Sequence, residues 1–349
     1  MHYFAKHLLQ WYETSPKKEM PWRSSRNPYH IWISEIILQQ TRVAQGLPYY
    51  KKFIKKYPTI NDLAKAPENE VMKLWEGLGY YSRARNLHAT AKYISQYYTG
   101  IFPNKYSQII ALKGVGSYTA AAIASFAFNL PHAVVDGNVV RVLARFKGIH
   151  YAYNTALGKK TFGSLAQSMI KDTPIAIYNQ AIMEFGADIC TPRNPQCTQC
   201  PLQKKCVAYI LDSIAILPVK SKKINIKVRH LYFFDFYVSE KKQFTHLIHK
   251  RDTKDIWQGL HEFPLVDSWK KIDIKKTLFW KKNITILNTI TITESTILKH
   301  KLSHQHLYIQ FFTIHCKKLP TINTYYAISR KKLLNLGFPV FFLQYFKKY

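Results

Sequence analysis

Acid is scarce in this chain of 349 residues: 20 Asp and Glu stand against 51 Lys and Arg, a formal net charge of +31. A surface that positive attracts a polyanion, nucleic acid first, because lysines that neutralise phosphates release counterions. Glycine is also scarce, at 13, and the lysines come as scattered doublets such as Lys51 with Lys52 and Lys317 with Lys318, as A+T-rich coding alone would produce. Charge by itself therefore favours nucleic acid only modestly. No apolar run reaches the roughly eighteen residues that a membrane span needs. The opening "MHYFAKHLLQWYETS" is amphipathic rather than a signal peptide, so the expectation is a soluble monomer with no membrane partner, cytoplasmic and held to the nucleoid by DNA. With 47% apolar residues, the composition argues against disorder.

Cysteine is rare, yet four of the five fall in "CTPRNPQCTQCPLQKKC". Cys190, Cys197, Cys200 and Cys206 have the spacing C-x6-C-x2-C-x5-C, which can hold zinc or a [4Fe-4S] cluster. Disulfides do not suit an intracellular helical protein. A zinc knuckle usually brings two C-x2-C pairs and only one is present, which favours iron and sulfur. Cys316, alone in an expected strand, reads as core.

Residues 1–212 read as helix after helix, with apolar residues at three and four spacing in "YHIWISEIILQQTRVAQ", "ENEVMKLWEGLGYYSRARNLHATAKYISQYY", "SYTAAAIASFAF" and "GNVVRVLARF". A basic, aperiodic linker is expected over 213–228. Residues 229–349 read as a smaller α+β domain: "HLYFFDFYVS", "FTHLIHK", "ITITESTIL" and "HLYIQFFTIH" are rich in β-branched and aromatic residues, and "SRKKLLNL" and "PVFFLQYFKK" suit helices.

In "ALKGVGSYTAAAIASF", Gly114, Val115 and Gly116 make a tight turn before a helix whose free amides can bind a phosphate. "VDGNVV" follows, with Asp136 where a helix cap would stand. "LKGVGSYTAAAI", "VDGNVVRVLAR" and the cysteine spacing together resemble the helix-hairpin-helix DNA glycosylases, the superfamily of endonuclease III. Within it, "MPWRSSRNPYHIWISEIILQQTRVAQGLPYYKKF" and "LWEGLGYYSRARNLH" resemble the MutY family of adenine DNA glycosylases.

The resemblance implies a helical glycosylase domain over 1–212, with the hairpin at about 109–128 and a [4Fe-4S] loop at 190–206, then a Nudix-like domain over 229–349. It implies hydrolysis of adenine mispaired with 8-oxoguanine or guanine in duplex DNA. Asp136 then stabilises the sugar cation, a role a fixed carboxylate fills because it acts more strongly on the transition state than on the ground state. Glu35 becomes the acid on adenine, its pKa raised by burial beside Ile31, Trp32 and Leu38. Asn138 and Tyr118 support the carboxylates. Trp22, Arg23 and Gln180 line the adenine pocket. Gln40, Thr41, Leu78 and Tyr80 meet the DNA around the opened pair, since a stacked base must be flipped out. Relatives that also cut the strand place a lysine where this chain has Tyr118, which argues against the alternative of a bifunctional oxidised-pyrimidine glycosylase and lyase. Lys113 departs from the family's usual proline. A non-catalytic DNA-binding scaffold is the other alternative, and the presence of both carboxylates argues against it.

In the second domain, "DIWQGLHEFPLV" resembles the Nudix-like fold, and Ser303 and His304 of "LSHQH" resemble its contacts to 8-oxoguanine. The glutamate-dense helix of a Nudix hydrolase is missing after Glu262, which implies recognition without hydrolysis. Lys51, Lys52, Lys55 and Lys56 fall on one helical face opposite Phe53, Ile54 and Tyr57.

Overall fold

The computed structural model describes residues 1–349 except 17–18, 222–224, 241–242, 286–288 and 349, together with the side chains of 289–290 and 348. Its chain forms two compact units, residues 1–64 with 89–222 and residues 65–88 with 223–349. The sequence expectation kept 1–212 together, whereas the fold groups 65–88 with the C-terminal half. Of the expected linker, 222–224 lie outside the described residues. Among the described residues no helix is long and apolar enough to cross a membrane.

Up to residue 212 the elements are helical: α1 (Tyr3–Thr14), α2 (Pro28–Leu38), α3 (Val43–Lys56), α4 (Ile60–Lys65), α5 (Glu68–Leu74), α6 (Ser82–Tyr97), α7 (Tyr106–Ile110), α8 (Ser117–Phe128), α9 (Gly137–Lys147), α10 (Ala156–Met169), α11 (Ile175–Asp188) and α12 (Val207–Ile210). The periodic stretch over 68–98 is not one helix. Gly77 and Gly79 take positive φ values of 96° and 72° and break it between α5 and α6.

Two helices of the first unit are apolar almost all round and lie inside it. On α2 the residues Ile31, Trp32, Ile33, Ser34, Ile36 and Ile37 are buried, and on α8 the run Thr119–Ser125 is buried. The small side chains of Ala120, Ala121, Ala122 and Ala124 let α2 approach α8 closely. Helix α9 begins at its Asp136 cap and stops at Gly148, whose φ of 64° suits glycine. It packs on α11, and the two share a core with α1 that includes Phe4, Leu8, Leu143, Phe162, Tyr178 and Phe185.

The second unit is built on a mixed sheet of β1 (Lys227–Glu240), β2 (Gln243–Lys250), β3 (His261–Glu262), β4 (Leu265–Ser268), β5 (Thr289–Glu294), β6 (Leu298–Lys301), β7 (Gln305–Cys316) and β8 (Tyr326–Ser329). Its order runs β3-β2-β1-β7-β5, with β4 on β1, β6 on β7 and β8 on β2. Strands β1 and β7 are parallel, Phe233 opposite Phe311 and Phe234 opposite Phe312. Because side chains alternate, Leu231, Phe233, Ile309 and Phe311 feed one core with Phe338, Phe341 and Phe342, while Phe234, Phe236, Phe312 and Ile314 feed the other with Trp280. Helices α13 (Leu278–Trp280), α14 (Arg330–Leu333) and α15 (Val340–Lys348) complete the unit. Cys316 is core, 1% exposed.

Candidate active site

Helix α2 starts where Asn27 caps Tyr29 N at 2.9 Å and Pro28 takes the first helical position. Glu35 is its one acidic residue and is only partly exposed. Burial pushes its carboxyl up to about 7; the Tyr118 hydroxyl, bonded to it from α8, pulls it down, and the charge of Asp136 pushes it up. Burial also lifts the Tyr118 phenol well above its ordinary value, so it stays a donor. That hydroxyl lies 3.9 Å from Met183 Sδ on α11.

Asp136 is the N-cap of α9: its Oδ1 accepts from Val139 N at 2.8 Å and its Oδ2 from Asn138 Nδ2 at 2.9 Å. Burial raises its pKa, and the Val139 and Asn138 donors and the Arg141 charge work against that rise. The cap and the catalytic reading are thus compatible, since capping fixes the direction of the carboxylate. Asn138 is fixed in turn: its Oδ1 accepts from Arg141 at 2.8 Å, and Arg141 also donates to Gly186 O at 2.6 Å and Cys190 O at 2.7 Å. A Cβ added at Gly186 would stand 2.7 Å from Asn138 Cβ, so only glycine admits this approach. One turn on, Arg145 donates to Thr191 O at 2.7 Å, Pro192 O at 3.0 Å and Leu217 O at 3.1 Å, and its NH1 lies 3.5 Å from Cys190 Sγ. The sequence pattern missed Arg141 and Gly186; the pairing of Arg141 with Arg145 at i,i+4 on an apolar helix was the available signal.

Arg23 and Gln180, far apart in sequence, meet at Glu184, which lies 2.7 Å from Arg23 NH2 and accepts from Gln180 Nε2 at 2.8 Å. Glu184 was not among the expected residues. Trp22 stacks edge-on against Tyr50, ring centroids 5.0 Å apart. Gln40 is exposed with φ 56°, an uncommon value for a residue with a side chain. Its neighbour Gln39 donates to Thr119 on α8 at 3.1 Å, while Thr41 is partly exposed with its hydroxyl 3.4 Å from Gln39 O.

At the hairpin, Gly114 has φ 80° and Val115 is buried, anchoring the turn. A Cβ added at Gly116 would meet nothing within 4 Å, and Gly116 caps α8 without a side-chain hydrogen bond. The first amides of α8 therefore lack a side-chain cap beside an open surface, which suits an anion.

All four clustered cysteines are free thiols and partly exposed. Burial raises Cys200 to about 12, and the charges of Cys190, Cys206 and Cys197 push it the same way, so the four sulfurs act on one another. Among the described residues no three His, Cys, Asp or Glu are arranged around a single metal ion. A [4Fe-4S] cluster is larger than an ion and would take one thiolate on each of its four irons; four free thiols on one short loop fit that donor set.

In the second unit, residues 77–82 with Arg85, the turn at 255–257 and the end of β6 with its following turn at 300–304 line a cavity of about 470 Å³. Its walls include Leu78, Tyr80, Arg85, Trp257, His300, Ser303 and His304. Leu78 is buried, whereas Tyr80 is 49% exposed with φ 46°. Ser303 and His304 are exposed on the turn between β6 and β7. Asp255 is held by Arg229 at 2.6 Å and Arg251 at 3.3 Å, bracing the Trp257 turn.

The profile of the HhH-GPD superfamily of base excision DNA repair proteins matches residues 33–160, and that of the NUDIX domain matches 236–348. Over 343 residues the chain is 38% identical to an adenine DNA glycosylase of Buchnera aphidicola subsp. Baizongia pistaciae, covering 97% of this chain and 94% of that protein. It is 42% identical over 214 residues to an adenine DNA glycosylase of Homo sapiens, covering 59% of this chain and 39% of the human one. The solved structure of a thermostable thymine-DNA glycosylase aligns at a TM-score of 0.56 and 34% identity, covering 60% of this chain and 95% of that one. Fold and site define a helix-hairpin-helix DNA glycosylase with a Nudix-type second unit. That the structural relative acts on thymine shows that the fold does not choose the base. By its likeness along nearly its whole length, the chain belongs to the adenine DNA glycosylase family.

Proposed function

We propose that this protein hydrolyses the N-glycosidic bond of adenine mispaired with 8-oxoguanine or guanine in duplex DNA, without cutting the strand. The observation that carries the reading is the pair of neighbouring carboxyls in different environments, Glu35 raised to about 7 and Asp136 held by three hydrogen-bond donors and a nearby guanidinium. Such a pair divides acid and base roles between its members. Protonated Glu35 gives its proton to a ring nitrogen of adenine, so that the base leaves neutral. Ionised Asp136 faces the positive charge that grows on the sugar and directs the water that completes the reaction. Tyr118 and Asn138 hold the two carboxyls in place.

Gly114, Val115 and Gly116 present backbone amides to a phosphate, and Arg23, Gln180 and Trp22 surround the flipped adenine. Gln40 and Thr41 meet the DNA at the opened pair, as does the exposed Tyr80; Leu78, 6% exposed, packs beneath its turn and does not reach the duplex. Ser303 and His304 read the opposite 8-oxoguanine, and recognition without hydrolysis agrees with the absence of a glutamate-dense helix after Glu262 in the sequence. Cys190, Cys197, Cys200 and Cys206 would hold a [4Fe-4S] cluster that, when bound, ties their loop into one rigid piece. The protein acts as a soluble monomer on DNA.

The test is base release from a labelled duplex carrying adenine opposite 8-oxoguanine, with strand breaks scored before and after hot alkali. Adenine release by the wild type with breaks only after alkali, lost in Asp136→Asn, supports the reading. Breaks before alkali would restore the lyase; binding without release would restore the scaffold.

A further inference from the structure

We propose that Glu184 is a positioning residue that sets base specificity by fixing which face of the Gln180 amide meets the excised base. The inference rests on the reading that Gln180 faces that base. Gln180 and Glu184 are one turn apart on α11, and Met183, three residues after Gln180, reaches the Tyr118 hydroxyl at 3.9 Å, so this stretch of the helix borders the reacting centre. A side-chain amide has two halves of opposite hydrogen-bond character, and rotation by half a turn exchanges them. A carboxylate accepts and cannot donate. Glu184 is 4% exposed, pairs with Arg23 at 2.7 Å, and receives Gln180 Nε2 at 2.8 Å on the same oxygen. One N–H of Gln180 is thereby committed to Glu184, which fixes the orientation of the amide and leaves its carbonyl oxygen turned away from that carboxylate, toward a ligand.

A fixed carbonyl accepts from the exocyclic amine of adenine. It repels the 6-oxo group of hypoxanthine, which is otherwise similar in shape and keeps the ring nitrogen that the Glu35 proton needs. Glu184 thus rejects 6-oxopurines without touching them. Replacing it with an amide, Glu184→Gln, supplies a donor that lets Gln180 turn its NH2 toward the base.

The experiment measures single-turnover release of adenine and of hypoxanthine, each opposite 8-oxoguanine, by the wild type, Glu184→Gln, Glu184→Asp and Gln180→Leu. The ratio of the two rates is taken within each protein, so loss of active fraction cancels. Glu184→Gln lowers the adenine-to-hypoxanthine ratio by roughly ten- to a hundredfold. Glu184→Asp, which keeps the charge beside Arg23 but shortens its reach to Gln180, lowers it in the same direction and serves should the amide variant not fold. A ratio within twofold of wild type in the folded Glu184 variants, with a lowered ratio in Gln180→Leu, overturns the role of Glu184 and leaves the pocket reading standing. An unchanged ratio in Gln180→Leu as well overturns both.

Discussion

The two units place their chemistry-bearing residues in opposite ways. In the first, Asp136, Asn138, Arg141 and Arg145 follow one another along α9, from its N-cap to its last turn, with hydrogen bonds of 2.6–3.1 Å that run from the Asp136 cap to the cysteine loop. In the second, Tyr80, Ser303 and His304 stand exposed on turns around a cavity. Bond breaking needs charges held before the substrate arrives, and a buried network supplies that. Reading a partner needs reach and tolerance, and turns on a rigid sheet supply those. Damage to the first unit should therefore appear as lost rate, and damage to the second as lost preference.

The largest effect expected is at Asp136. Asp136→Asn keeps the cap geometry yet removes the charge, and should slow adenine release at least about 10³-fold in single-turnover assays. Next is Arg141→Met. It leaves Asn138 Oδ1, Gly186 O and Cys190 O without their shared donor, which should cost about 2–4 kcal/mol in urea unfolding and slow the reaction roughly ten- to a hundredfold. A variant with normal stability and rate would show that the link from cap to loop is idle.

In the second unit, Ser303→Ala with His304→Ala should lower the preference for 8-oxoguanine over guanine opposite adenine by about tenfold, read as the ratio of rates on the two duplexes. A fall in both rates with an unchanged ratio would move these residues from reading to chemistry and break the contrast. The smallest effect belongs to the basic face of α3. Lys51, Lys52, Lys55 and Lys56 are exposed while Phe53 and Tyr57 are buried. Changing all four to Gln should weaken binding to undamaged duplex and flatten the salt dependence of that binding, with the slope falling by up to about one for each phosphate that is no longer neutralised.

Sequence periodicity was enough to read the helices of the first unit and the long strands β1 and β7 of the second, because both patterns bury a repeating apolar set. The motifs singled out Asp136, Glu35 and Tyr118 as candidates, and the structure brings the three together. Glu184 and Gly186 were not legible. A buried acid is recognised by the Arg23 that reaches it from more than 150 residues away, and a glycine by the Asn138 it lets in. The break between α5 and α6 was hidden because the apolar spacing continues through it; the left-handed turn at Gly77 and Gly79 decides the backbone there. Tertiary packing, rather than periodicity, assigns 65–88 to the second unit.

Glu35 also has a signature in stability. Its folded pKa of about 7 lies above the ordinary 4.5, so its contribution is fully present below pH 4.5 and is lost as pH rises through 7. Glu35→Gln should therefore be more stable than wild type at pH 8, by roughly 1–3 kcal/mol in urea unfolding, and level with it at pH 4.5.

The most direct test of the division between the carboxyls is the pH dependence of kcat/KM for adenine release by wild type and Glu35→Gln. The wild type should fall as pH rises through about 7, the point at which Glu35 loses its proton, and the variant should be slow and level across that range. A wild-type profile that stays flat from pH 6 to 9, or a variant that keeps the same fall, would contradict the assignment of Glu35 as the acid.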